Sequence, residues 1–219
     1  MLIDTHCHLA HKRITDSITD LLLQAADFGV YTVICAASDL EESRAASQLA
    51  ADHRGVFALA GIHPHEAKTV DDATLAEIRS LLDAPRCVAL GEIGLDYHYD
   101  FSPREIQRDV FAAQLAIAAE LGMPVVIHTR EAFDDTMEIL RASAVDKTAV
   151  LFHSFTGNAD DAQQVIDLGC SISYSGIMTF KNAEDIRAAA KLTPLDKLMI
   201  ETDAPFLSPE PVRNINPNV

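Results

Sequence analysis

The chain predicts an α/β fold, a closed (β/α)8 TIM barrel, and three observations carry that expectation. Short apolar or β-branched runs alternate with amphipathic helical patterns from one end to the other, which marks a parallel sheet wrapped by helices. The runs end near His6, Ala36, Gly61, Glu92, His128, His153, Ser175 and Glu201, roughly 22 to 36 residues apart, about one strand plus one helix each. Metal-capable side chains stand at these ends, where a barrel would bring them together on one face. A doubly wound open sheet is the competing architecture. It needs no eight evenly spaced units and expects polar strand ends only near a switch point.

Taken in order, the first run opens at Leu2 and Ile3 and is interrupted by Asp4-Thr5-His6-Cys7-His8. Side chains alternate along an extended chain, so His6 and His8 point one way and Cys7 the other. The next helix carries Ile18, Leu21, Leu22, Ala25 and Phe28 before Gly29, an apolar stripe expected to pack on the sheet. Ser38 with Glu41 reads as a capping box. Ser102-Pro103-Arg104-Glu105 reads as another, with proline in the first turn and a helix running to Gly122 and Pro124. Asn158 is expected to cap a helix with Ala162, Val165 and Leu168 on its apolar side and Gly169 as its left-handed stop. Asn182 with Asp185 looks similar. No linker or low-complexity tract divides the chain, so residues 1–219 form a single domain.

Composition limits the function. At 48% hydrophobic residues over 219 positions a sizeable core can be buried. The 33 acidic residues outnumber the 17 basic ones, and a net charge of −16 excludes a broad basic surface that would hold long duplex DNA by counterion release. No apolar run has membrane-spanning length, and no basic region with a long apolar run opens the chain, so neither anchor nor signal peptide is expected. Cys7, Cys35, Cys87 and Cys170 are far apart and read as free thiols of a reducing compartment. A cytoplasmic protein is expected.

Six metal-capable residues fall at strand ends: His6 and His8, Glu92, His128, His153 and Asp203. Four histidines and two carboxylates exceed what one tetrahedral ion with an open position requires. They suit two divalent cations sharing a bridging carboxylate. The set would be a binuclear centre for metal-assisted hydrolysis, with Zn, Mn, Ni, Fe or Mg all compatible with these ligands.

The motifs His6-Cys7-His8, Gly61-Ile62-His63-Pro64, Gly91-Glu92-Ile93-Gly94-Leu95-Asp96-Tyr97, His128-Thr129-Arg130, His153-Ser154-Phe155-Thr156-Gly157, Ser175-Gly176-Ile177-Met178-Thr179-Phe180 and Glu201-Thr202-Asp203-Ala204-Pro205 run in order over essentially the whole chain. Together they resemble the TatD family of metal-dependent hydrolases and deoxyribonucleases, amidohydrolase-like TIM barrels. The resemblance implies that His6, His8 and Asp203 bind one metal, that Glu92 bridges, and that His128 and His153 bind the second. It also implies phosphodiester hydrolysis in DNA. Asp203 would orient or deprotonate the attacking water, and Glu92 is the other catalytic carboxylate. Given the acidic charge, the expected substrate is a DNA end, a single strand or a short nucleic acid. A small amide, lactone or phosphoester is the alternative substrate, and a metal-binding protein without turnover is the alternative class.

Among the remaining candidates, the resemblance favours His63 as a donor to a phosphate oxygen. Arg130 would make either a bidentate phosphate contact or a salt bridge with Glu131 or Asp134. Lys181 and Arg213 are weaker candidates of that kind, and His65 is left unassigned. His11, His53 and His98 read as surface or capping residues, and Asp96 and Tyr97 as pocket wall or support. Asp4 and Glu201 each precede a ligand by two residues and so share its face one layer deeper. Each would accept the free N–H of a metal-bound imidazole, or else make a salt bridge or N–H contact at the barrel floor. Relatives in the resembled family continue for some tens of residues past the Glu-Thr-Asp segment. A barrel lacking the last helical segment is therefore expected, with an apolar seam between the eighth and first strands open to self-association or a partner.

Overall fold

Eight parallel strands pair in the order in which they occur in the sequence: β1 (Leu2–Cys7), β2 (Val30–Cys35), β3 (Val56–Ala60), β4 (Cys87–Asp96), β5 (Val125–Arg130), β6 (Val150–Phe152), β7 (Ser171–Tyr174) and β8 (Leu198–Ile200). The computed structural model describes residues 1–14 and 16–214. Residues 215–219, at which the sequence was expected to lack a further helix, lie outside the described residues. Seven helices are present among the described residues: α1 (Ile18–Asp27), α2 (Leu40–Asp52), α3 (Asp72–Leu82), α4 (Arg104–Leu121), α5 (Phe133–Ala142), α6 (Ala159–Asp167) and α7 (Glu184–Leu192). The α/β barrel is thus as predicted.

The barrel comes close to closing between β8 and β1. Thr5 Oγ1 donates to the Ile200 carbonyl at 3.0 Å. Just beyond β8, the Asp203 N–H reaches the His6 carbonyl at 2.9 Å and the His8 N–H reaches the Ala204 carbonyl at 2.7 Å. Inside the barrel, Leu59, Ala89, Val126 and Leu151 form a small buried apolar cluster. Val126 lies two residues before His128 and Leu151 two before His153, so strand alternation puts this cluster one layer below the polar rim. A larger apolar core, including Phe111, Leu115, Phe152 and Met137, fills the space between the strands and the helices around them.

Cap chemistry follows the sequence in one of four cases. Asn158 caps α6 as expected, accepting from the Asp160 and Asp161 N–H groups at 2.7 and 3.1 Å, while Asp161 completes the box. Gly169 follows the helix at φ +97°, the left-handed conformation that favours glycine. At α2 the cap is Asp39, one residue later than predicted, and the box is not closed: Asp39 accepts from the Glu42 N–H at 2.8 Å, but Glu42 accepts from the N–H of Ser38, before the cap, at 3.0 Å. Ser102 does not cap α4. Its hydroxyl is buried and donates instead to the His65 carbonyl at 2.8 Å, tying the β4–α4 loop to the short 3₁₀ turn Pro64–Thr69. Nor does Asn182 cap α7, which starts after Ala183 without a side-chain cap.

The stripe on α1 is the other departure. None of its residues is fully buried, and Phe28 is 85% exposed. Leu2, Ile3, Met199 and Ile200, on the two strands that meet at the seam, are exposed too, Ile200 by 50%. The apolar seam predicted beside β1 and β8 is therefore uncovered among the described residues. No described helix is long and apolar enough to cross a membrane.

Candidate metal centre

The predicted ligands meet at the mouth of the barrel because each is carried there by the end of a different strand. His6 lies on β1 and His8 just beyond it, and alternation turns both rings the same way, with their Nε2 atoms 3.2 Å apart. Cys7, between them, turns away and is buried against the Ile34 carbonyl. Asp203 follows β8 at φ +56°. Its Oδ1 stands 3.5 Å from His8 Nε2 and 3.9 Å from His6 Nε2. Two donors bound to one tetrahedral zinc at about 2.0–2.1 Å are separated by about 3.3–3.4 Å. The His6, His8 and Asp203 atoms are spaced much as such a site requires.

Glu92 lies within β4 rather than at its end, as the strand runs on to Asp96 past a register shift against β5 between Leu90 and Ile93. Its carboxylate is divided between two sets of imidazoles. Oε2 is 3.4 Å from His6 Nε2 and 3.5 Å from His8 Nε2. Oε1 is 2.9 Å from His128 Nδ1, 2.7 Å from His153 Nε2 and 3.4 Å from His63 Nε2. The His6 and His153 rings stack at 3.9 Å, which holds the two sets side by side.

Carboxylates behind the rings decide which nitrogen faces inward. His153 Nδ1 lies 3.3 Å from Glu201 Oε1, and with a proton held there Nε2 would offer its lone pair to a bound cation in place of the proton it shares with Glu92 in the metal-free protein. Glu201 is itself held by the Ser173 hydroxyl. His128 Nε2 lies 3.1 Å from Asp96 Oδ2 while its Nδ1 faces Glu92 Oε1 at 2.9 Å. Asp4 does not reach an imidazole: its oxygens accept from the Thr202 N–H at 2.9 Å and the Thr202 hydroxyl at 2.6 Å. Of the two roles open to it, it takes the N–H contact, fastening β1 to the segment after β8. His6 Nδ1 and His8 Nδ1 are consequently buried without a partner among the described residues. Such unmet groups are tolerated where a site has work to do.

Electrostatics follow from this packing. Burial alone would raise the Glu92 and Asp203 pKa values, but the surrounding imidazoles outweigh it and both are lowered. Burial opposes charge on His8, His128 and His153, yet Asp203, Asp96, Glu92 and Glu201 outweigh it and all three are raised. Protons thus occupy the place where cations would bind. Imidazole nitrogens and carboxylate oxygens converge in a buried cluster, so the residues present fit divalent metal.

His63 differs from those three histidines. Burial lowers its pKa to about 4. Its Nδ1 accepts the His65 N–H at 3.2 Å, so the neutral ring carries its proton on Nε2, facing Glu92. In that tautomer His63 presents an N–H, although His63, Glu92 and His128 also bring potential ligand atoms within 4.8 Å of one another. Arg130 lies at the rim but makes no ion pair with Glu131 or Asp134; its guanidinium covers the Tyr99 ring at 4.9 Å. Arg213 lies 3.8 Å from the Phe180 ring, and neither it nor Lys181 lines the central cavity. His98 pairs with Glu131 at 2.7 Å and His11 packs on Phe206. Tyr97 donates to Asp135 at 2.6 Å.

Sequence reasoning gave too little weight to Asp96 and left His65 unassigned, although His65 Nε2 is 3.0 Å from the same Asp96 oxygen. The signal was present: Asp96 is four residues beyond Glu92 on one strand and so shares its face. The cavity over the centre has a volume of about 800 Å³ and is lined by His8, Glu92, His128, His153 and Asp203 together with His63 and Tyr99.

A parallel barrel with imidazoles and carboxylates gathered at its mouth is the architecture of a metal-dependent hydrolase. The chain belongs to the TatD family: the family described as TatD related DNase matches residues 3–219. It is 35% identical to the uncharacterized metal-dependent hydrolase YabD of Bacillus subtilis, over 97% of this chain and 84% of that one. It is 38% identical to the 3'-5' ssDNA/RNA exonuclease TatD of Musicola paradisiaca, over 99% of this chain and 81% of the relative. Among solved structures, the TatD homologue YjjV of Escherichia coli superposes with a TM-score of 0.90 at 29% identity, covering 96% of this chain and 82% of YjjV.

Proposed function

We propose that this TatD-family hydrolase holds two divalent cations and cleaves phosphodiester bonds in single-stranded or terminal stretches of nucleic acid. The observation that carries the reading is the division of Glu92, whose two oxygens face separate groups of imidazoles. His6, His8 and Asp203 would hold one ion, His128 and His153 the other, and Glu92 both. Bound there, the cations would supply Lewis acidity and lower the pKa of water to near neutrality.

The chain's own groups do the rest. Asp203 is ionised and lies at the edge of the centre, where it accepts the proton of the attacking water. His63 presents Nε2–H to a phosphate oxygen. The water oxygen forms a bond to phosphorus as the bond to the leaving alcohol breaks, and the proton taken up by Asp203 can return to that alcohol. Arg130, without an ion pair among the described residues, has guanidinium N–H groups for a neighbouring phosphate. The exonuclease named among the relatives supports this substrate class, as does a charge of −16, which disfavours long duplexes.

The test is metal analysis of the purified protein, then assays on labelled single-stranded DNA and RNA beside a panel of small amides, lactones and phosphoesters. Two equivalents of metal and chelator-sensitive cleavage of nucleic acid are expected, with Asp203→Asn nearly inactive. Turnover confined to the small panel, or full activity in Asp203→Asn, would reject the reading.

A further inference from the structure

Between β4 and α4 the chain leaves two aromatic side chains standing at the rim of the cavity. Tyr99 is 47% exposed and Phe101 55%. Their rings stack at 5.2 Å with 23° between planes, and the Arg130 guanidinium lies over Tyr99 at 4.9 Å. His65 meets both rings edge-on, at 5.4 and 4.8 Å. The result is a short ladder of flat groups, Phe101, Tyr99 and Arg130, whose inner members line the cavity.

This ladder is tied to the metal centre. Asp96 Oδ1 accepts the backbone N–H of Tyr99 at 2.9 Å and of His98 at 3.0 Å, while its Oδ2 faces His128. Lys68 Nζ holds the Phe101 carbonyl at 2.9 Å, and Ser102 anchors the next residue. One buried carboxylate therefore sets both the His128 ring and the start of the ladder, so the distance between them is fixed by the fold.

Charge says what such a surface is for. A chain at −16 gains little by following a phosphate backbone, so affinity for a nucleic acid has to come from the reacting phosphate and from the base beside it. Base–aromatic stacking supplies such affinity and is indifferent to sequence, because every base has a flat face. Paired bases within a duplex are already stacked and present no free face.

We propose, building on the phosphodiesterase reading, that the Phe101–Tyr99–Arg130 ladder is a stacking platform for one unpaired base next to the scissile phosphate. The base extends the ladder, and the Arg130 edge takes the adjoining phosphate. Selection of single strands and ends over duplex then resides in this loop rather than in the metal ligands.

The test uses metal-loaded protein and single-stranded oligonucleotides ending in 2-aminopurine, whose fluorescence falls on stacking, with a sulfur-substituted last linkage to slow cleavage. Native protein is expected to quench the probe, and Tyr99→Ala to bind it about 5- to 100-fold more weakly. Tyr99→Leu keeps apolar bulk without a π-face and should resemble Tyr99→Ala; circular dichroism confirms that both fold. In cleavage assays, the preference of kcat/KM for a base-bearing over an abasic end should fall by a similar factor in both variants. Quenching and preference equal to native in both variants would overturn the platform while leaving nucleic-acid cleavage intact. Quenching lost in the variants, with no cleavage by native protein, would support the platform and reject the nuclease reading. Native protein that neither quenches nor cleaves would overturn both.

Discussion

Asp96 Oδ2 stands 3.1 Å from His128 Nε2. This contact orients the His128 ring and aims Nδ1 at Glu92, 2.9 Å away, so that with the proton on the outer nitrogen Nδ1 would be available to a cation. Outer partners of metal-bound histidines typically contribute about 10- to 100-fold to metal affinity. Asp96→Asn is therefore expected to bind its second equivalent of metal about 10- to 100-fold more weakly, read by calorimetric titration of the metal-free protein. Two equivalents bound with native affinity would remove this role from Asp96.

Glu92 faces both groups of imidazoles, so its loss should be felt at both. Glu92→Gln is expected to retain at most one equivalent of metal and to lose at least about 10²-fold in hydrolysis, more than a residue acting behind a ligand would cost. Elemental analysis beside activity decides it. A variant still holding two ions would show that Glu92 does not bridge.

The pH dependence of the metal-free protein follows from the shifted groups. His8, His128 and His153 have pKa values raised above about 6.5, despite burial, by their carboxylate partners. Stability from such groups is full below about pH 6.5 and is lost as pH rises through the raised values. Glu92, Asp96 and Asp203 are lowered, so their contribution is present above about pH 4 and lost as pH falls through the lowered values. His63, lowered to about 4 by burial, also weakens the fold as pH falls below about 6.5. With chelator present, Tm should peak in mildly acid solution and decline toward alkaline pH. Added divalent metal should raise Tm most at the alkaline end, where no proton competes. A Tm that rises with pH in chelator would contradict the charge state assigned to the centre.

Gly94 has φ +141°, and a Cβ built there would run into the His128 carbonyl. Only glycine lets β4 lie this close to β5 at that point. Gly94→Ala is expected to cost at least about 2 kcal/mol through backbone strain and displacement of His128. Denaturant unfolding measures the first effect and metal titration the second. Native stability would mean that the strands can part without harm.

Phe28, at the end of α1, and Ile200, on β8 beside the seam, are exposed apolar side chains. Exposed side chains contribute little to folding, so Phe28→Ser should change stability by less than about 0.5 kcal/mol. If the seam drives self-association, the same substitution should shift sedimentation of a concentrated sample toward monomer. Association unchanged in both Phe28→Ser and Ile200→Thr would show that copies do not meet through this face.

The eight repeats and the predicted ligands could be read from the chain because strand alternation and strand-plus-helix spacing are local properties. His6 and His8 share a face for the same reason that Cys7 does not. Local rules also explain the misses. Ser102 had every mark of a cap, yet the 3₁₀ turn before α3 lies near enough to claim its hydroxyl. Asp4 lay on the correct face for an imidazole, but Thr202, from the far end of the chain, met it first.

What the amino-acid order determined by itself was which side chains would reach the mouth of the barrel. Alternation sets direction along each strand, and direction needs no knowledge of the neighbours. Only the folded barrel decided how those side chains divide: which oxygen of Glu92 faces which ring, that Asp96 rather than Asp4 holds an imidazole, and that Arg130 lies over Tyr99 instead of pairing with an acid. Those choices depend on distances between strands that pair only when the sheet curves round, and no stretch of sequence contains such a distance.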